Sequence, residues 1–106
     1  MDVKHLAVTE QGFLIDAQTW TENWATMQAV SYAIELSPAH WEIIHFMREY
    51  YITYKHLPNT RMFIKAVAIK LGTEKGNSRY IQVLFPQTPL KLVCLLAGLP
   101  KPPNCL

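Results

Sequence analysis

Ser37-Pro-Ala-His-Trp-Glu-Ile-Ile-His-Phe-Met-Arg-Glu-Tyr-Tyr-Ile-Thr-Tyr54 opens on a serine followed by a proline. Serine is a strong helix N-cap, and proline fits the first helical position, where the N–H it lacks would have no intrahelical partner. Trp41, Ile44, Met47, Tyr51 and Tyr54 then recur at spacings of three and four, while Glu42, Arg48 and Glu49 fall elsewhere. This pattern predicts a long amphipathic helix over 38–54, the spine of the domain. Its aromatic stripe reads as core rather than as a cofactor box.

Upstream of the spine, Val3 to Val8 and Phe13 to Asp16 are short apolar runs flanking the turn composition Thr9-Glu-Gln-Gly12. They predict a small β-hairpin, which needs support from the helices because two strands alone are marginal. Trp20 and Trp24 are large enough to make that joint. Thr21 is a candidate N-cap for a helix to about Ile34, with a weak stripe of Trp24, Met27, Gln28 or Ala29, and Ser31.

Downstream, Leu57-Pro58 breaks the spine and Asn59 caps a helix whose stripe is Met62, Phe63, Ala66, Val67 and Leu71, closed by Gly72. Residues 73–77 are a turn, and Asn77 or Ser78 caps a short helix to about Phe85, before Pro86. The two helices form a helix-turn-helix-like middle. Thr88-Pro89 repeats the opening of the spine and starts a last apolar helix to about Ala97, with Gly98 at the C-cap. Cys94 shares the register of Leu90 and falls on or near the buried side. The fold class is therefore mainly α (α+β), a small helical bundle with an N-terminal hairpin.

Half of the 106 residues are hydrophobic, which supports one modest core and no second domain. Residues 1–106 thus read as a single domain, with 98–106 as a C-terminal swinging arm. No run approaches the roughly 20 apolar residues of a membrane span, and the N-terminus lacks a signal-peptide pattern. A cytoplasmic location is expected. Charge is divided unevenly along the chain: residues 1–50 hold two basic and seven acidic residues, and residues 51–106 hold eight basic and one acidic. Both cysteines lie in the basic half, whose field favours thiolate and, equally, a persulfide anion.

The tail, Gly98-Leu-Pro-Lys-Pro-Pro-Asn-Cys-Leu106, has three prolines that exclude a helix and favour stiff, extended backbone. Gly98 is the candidate hinge. An extended chain from Gly98 to Cys105 covers about 25 Å or less, enough to fold back toward Cys94 or to reach into another protein. A thiol in a reducing compartment on such a tether suggests a carrier, with Cys94 as a candidate resolving partner or a small buried hydrophobe. Arg61 and Lys65, one turn apart, present paired positive charge to an anionic partner or to the tail's sulfur; Arg79 and Lys101 extend the basic surface. The cysteine spacing is neither CxxC nor a zinc pattern, and the four histidines add no metal-like cluster. Phosphate loops, nucleophile elbows and HExxH motifs are lacking, which removes classical hydrolase and nucleotide-enzyme readings.

Ala97-Gly-Leu-Pro-Lys-Pro102 with Cys105 next to the last residue resembles the C-terminus of the DsrC/TusE family of sulfur-relay proteins. Lys75-Gly-Asn-Ser-Arg-Tyr80 with Leu84-Phe-Pro86, Leu36-Ser-Pro-Ala-His-Trp-Glu42 with Arg48-Glu-Tyr-Tyr51, and Gly12-Phe-Leu14 resemble its other blocks in order and spacing. Thr88-Pro-Leu-Lys-Leu-Val93 departs from the family's usual Gly-Pro-Ala-Lys-Gln-Ala type run. The resemblance implies that Cys105 accepts persulfide sulfur, with no cofactor beyond that covalent sulfur. It implies a DsrE/TusD-type sulfurtransferase as donor. In DsrC-type members a second cysteine at the place of Cys94 acts as resolving residue, and the acceptor is dissimilatory sulfite reductase. In TusE-type members the penultimate cysteine acts alone, relaying sulfur from TusBCD to MnmA for the wobble 2-thiouridine of tRNA. The first of these is the main expectation, and the second is its alternative.

A different class, nucleic-acid binding, rests on the helix-turn-helix-like middle with Arg61, Lys65, Lys70, Lys75 and Arg79. Against it, the turn is long, base-reading Asn or Gln residues are few, and such a module has no use for a cysteine arm. A regulator that docks sulfur enzymes without carrying sulfur is a third reading.

Overall fold

The computed structural model describes residues 6–103. After a 3-10 turn at Ala17–Thr19 come five helices: α1 (Glu22–Ser31), α2 (Pro38–Tyr54), α3 (Thr60–Leu71), α4 (Ser78–Leu84) and α5 (Pro89–Leu96). Four of the starts are capped by the residues that the sequence marks. Thr21, Asn59 and Asn77 each accept a hydrogen bond from the backbone N–H three residues on, at 3.0, 2.8 and 2.9 Å. At Ser37 the reciprocal partner is His40, whose Nδ1 accepts the Ser37 N–H at 3.0 Å. This leaves Nε2 to carry the proton and donate to the Leu84 carbonyl at 2.9 Å, which ties the start of α2 to the end of α4.

The expected hairpin is reduced to its minimum. Thr9 N–H donates to the Phe13 carbonyl at 2.7 Å and Ile15 N–H to Ala7 at 3.0 Å, but only Val8 and Leu14 form an antiparallel bridge among the described residues. The part of the first strand predicted at 3–5 lies outside them. Phe13 and Leu14 are both buried, so the turn serves to press them onto the helices.

α1 ends earlier than its predicted limit at Ile34. Ala33 adopts a left-handed φ of 58°, and Ile34 N–H turns back to the Ala29 carbonyl at 3.0 Å, closing the helix without glycine. Its buried residues are Trp24, Ala25 and Ala29; Met27, assigned to the stripe, is 54% exposed. On α2, Ile44 and Met47 are buried as expected with Ile43 beside them, whereas Tyr54 at the fraying end is 56% exposed. On α3 the stripe narrows to Phe63 and Val67, and Met62 is exposed.

α5 is the centre of the bundle. Leu90, Leu92, Val93, Cys94, Leu95 and Leu96 are all buried, and the helix packs against α1, α2 and α4. From Leu92 to Leu96 the helix is apolar on every side, and such a segment has no solvent face to offer and is stable only when enclosed. Gly76 allows the 73–77 turn to lie directly on α3, where a Cβ would overlap the backbone of Ala68.

Candidate functional site

Of the residues that the sequence singles out, Cys94, Gly98 and Lys101 lie at or just after the C-terminal end of α5. A helix leaves its last four carbonyls without intrahelical partners, and inside a core each of them needs another donor. Here every one has a donor. Leu99 N–H bonds the Cys94 carbonyl at 3.0 Å and Gly98 N–H the Leu95 carbonyl at 3.2 Å, the paired bonds of a Schellman cap. The other two donors come from far away in the chain. The Trp20 indole N–H donates to the Leu96 carbonyl at 2.8 Å, and Arg48 Nη1 donates to the Ala97 carbonyl at 2.7 Å. Arg48 Nη2 donates to the Ala17 carbonyl at 3.2 Å, while the guanidinium carbon lies 4.2 Å from the centre of the Trp20 ring. Burial pushes the Arg48 pKa below its ordinary value; a guanidinium starts so far above neutrality that it stays charged.

Gly98 has a φ of 71°, and a Cβ there would overlap the Trp20 ring. Leu99 is buried, and so is Pro102, while Pro100, Lys101 and Pro103 are exposed. Gly98, expected as a hinge, is therefore gripped on both sides: by the cap and Trp20 on one, by buried Leu99 on the other. Pro100 and Lys101 line a groove with Thr9, Phe13 and Ile15 of the N-terminal turn. Pro103 lines a second groove, of about 640 Å³, with Tyr50, His56, Pro58 and Arg61 at the junction of α2 and α3.

Cys94 is fully buried in α5. Cys105 lies outside the described residues, as do its neighbours 104 and 106. Among the expected cationic residues, Arg61 and Lys101 border grooves along which the tail runs, whereas Lys65 and Arg79 are exposed on α3 and α4 and line neither. Among the described residues no three His, Cys, Asp or Glu side chains are placed to hold a metal ion, and no helix is long and apolar enough to cross a membrane.

The family model described as DsrC like protein matches residues 1–106. The chain belongs to this DsrC-like family. Among its relatives, a protein named sulfurtransferase TusE homolog from Haemophilus influenzae is 50% identical over 97 residues, covering 92% of this chain and 89% of that protein. Sulfurtransferase TusE of Escherichia coli is 43% identical over 103 residues, covering 97% and 94%. Among solved structures, the NMR structure of Allochromatium vinosum DsrC matches with a TM-score of 0.90 at 46% identity, over 100% of this chain and 95% of that one. The crystal structure of the oxidised gamma-subunit of the dissimilatory sulfite reductase (DsrC) from Archaeoglobus fulgidus matches with a TM-score of 0.82 at 40% identity, over 97% and 94%. The mainly helical bundle is thus the fold of these DsrC structures.

Two residues at the end of α5 escape a reading by periodicity. Arg48 falls off the apolar stripe of α2, where a charged residue reads as solvated, and Trp20 reads as a hydrophobic joint. The available signal is chemical: an indole N–H brought to a core requires an acceptor, and an arginine directly after buried Met47 is within reach of that core.

Proposed function

We propose that the protein is a cytoplasmic sulfur carrier of the TusE kind, with Cys105 as the sulfur-bearing residue. The observation that carries this reading is the match over nearly the whole chain to proteins named sulfurtransferase TusE, at 43–50% identity. The Cys105 thiolate attacks the outer sulfur of a donor persulfide. A sulfur–sulfur bond forms on Cys105, the donor's sulfur–sulfur bond breaks, and the donor leaves as a thiolate, with no net oxidation or reduction. A second exchange of the same type passes the sulfur on. The covalent sulfur is the only added group that this chemistry needs. The donor is a DsrE/TusD-type sulfurtransferase and the acceptor an MnmA-type thiouridylase with its tRNA. Turning at Gly98 would pull buried Leu99 from the core. Arg61 and Lys101 supply positive charge along the tail's path.

A second reading gives Cys94 the resolving role, with dissimilatory sulfite reductase as partner. It is favoured by the DsrC structures at TM-scores of 0.82 and 0.90 and by the place of Cys94 at the first carbonyl of the tail's cap. There the Cys94 thiolate attacks the inner sulfur of the Cys105 persulfide, forming a disulfide and releasing hydrosulfide. Intact-mass measurement after incubation with a persulfide donor separates the readings. Gain of about 32 Da on wild type and Cys94→Ser, but not on Cys105→Ser, is the result expected of a Cys105 carrier. A further species about 2 Da lighter than the reduced protein, lost in either variant, establishes the two-cysteine route. Absence of sulfur uptake at Cys105 overturns both.

A further inference from the structure

The proposed chemistry uses the tail but leaves unexplained why its root is held by a partly buried cation. Arg48 has no carboxylate partner among the described residues; its hydrogen bonds go to the Ala97 and Ala17 carbonyls, and its flat face lies on Trp20. Desolvating a guanidinium is costly, and for stability alone a packed apolar side chain at such a place often does as well or better. What an apolar residue cannot do is fix direction. The Arg48 fork and the Trp20 indole each bond one of two adjacent carbonyls, Ala97 and Leu96, so together they set both the position and the orientation of the peptide units from which the tail departs. The Trp20 ring also packs on Gly98, the next residue, and the left-handed φ there turns the chain in one direction.

We propose that Arg48 and Trp20 are positioning residues for sulfur transfer, forming a latch that aims the cysteine tail at its protein partners. This rests on the reading of Cys105 as a sulfur carrier. The tail behind the latch is stiffened by Pro100, Pro102 and Pro103, so an error at its root is carried along the segment instead of being absorbed by it. Ala97 and Cys105 are separated by at most about 28 Å of extended chain, and a tilt of about 20° at the root shifts the far end by as much as about 10 Å. Sulfur exchange within a protein complex requires reacting atoms about 3–3.5 Å apart, so misdirection lowers transfer steeply. A small reagent needs no docked partner and is indifferent to aim.

The test uses full-length protein carrying Arg48→Lys, which keeps the charge and loses the fork, and Trp20→Phe, which keeps a ring and loses the N–H. Three quantities are measured on each: the folding midpoint, the alkylation rate at Cys105 by iodoacetamide mapped by peptide mass, and sulfur uptake from a persulfide-loaded TusD-type sulfurtransferase. The latch predicts folded variants whose alkylation stays within about twofold of wild type while uptake from the protein donor falls about tenfold or more. It also predicts that the double variant transfers little worse than the weaker single one, because both act on one geometry. Uptake within about twofold of wild type in both variants, or alkylation and uptake falling in parallel, overturns the latch. A wild-type protein that accepts no sulfur overturns instead the carrier reading beneath it.

Discussion

α3 and α5 are both rich in aliphatic residues, yet the protein treats them in opposite ways. α5 is buried around its whole circumference from Leu92 to Leu96, whereas α3 buries only Phe63 and Val67 and leaves Ile69 78% exposed. Arg61, Lys65 and Lys70 all lie on the exposed part of α3. Composition is therefore a poor guide to which helix is central. What separates them is charge placement: three cations over twelve residues give α3 a face that must meet water, while α5 has Lys91 alone, near its start, and can be enclosed. The enclosed helix then anchors the tail, and the open one lends a cation, Arg61, to the groove that Pro103 borders.

The contrast makes graded predictions. Leu96→Ala in α5 and Phe63→Ala in α3 should each cost about 3–5 kcal/mol by urea denaturation, because both side chains are fully buried. Ile69→Ala should change stability by less than about 0.5 kcal/mol. Equal costs for Ile69 and Leu96 would show that α3 is covered in solution. Next comes Gly98→Ala, at about 2–4 kcal/mol, combining the left-handed backbone with overlap on Trp20. A neutral result in thermal melts would mean that the end of α5 is looser than its bonded carbonyls indicate. Asn59→Ala should then cost about 1 kcal/mol through loss of the α3 cap, with helix content falling only at that end in hydrogen exchange.

The smallest effect is expected at the partly exposed pair of Lys75 and Glu42, 2.7 Å apart. The hydrogen bond to Glu42 raises the Lys75 pKa above its ordinary value. A group whose folded pKa is raised contributes its stability in full below the unfolded value and loses it as pH rises through the folded one. Glu42→Gln should therefore differ slightly from wild type at neutral pH and converge with it in alkaline solution beyond the Lys75 titration. A difference that grows with alkalinity would contradict the assignment. At high salt the neutral-pH difference should also shrink, as for any exposed pair.

Helix starts were legible in the sequence because a cap is a local device: Thr21, Ser37, Asn59 and Asn77 each act within three residues of themselves. The burial of Cys94 followed from the apolar run around it. Stripe membership was less secure: Met27 in the middle of α1, and Tyr54 and Met62 near the ends of α2 and α3, fit the spacing but stay exposed. The hairpin shows the same limit, since two apolar runs and a turn do not say how many ladder bonds will form.

By itself, then, the sequence determined where helices begin, that the last of them is apolar enough to dock on the core, and that a proline-stiffened segment with a cysteine follows it. These properties are set by neighbours along the chain and by the cost of exposing apolar surface. Only the tertiary structure decided what holds the end of α5. Trp20 and Arg48 are 76 and 49 residues from the carbonyls that they bond, and no periodicity links them. Two unmatched backbone acceptors inside a core had to be met by whichever donors the packing of α1, α2 and α5 brought near, and packing is a property of the whole chain.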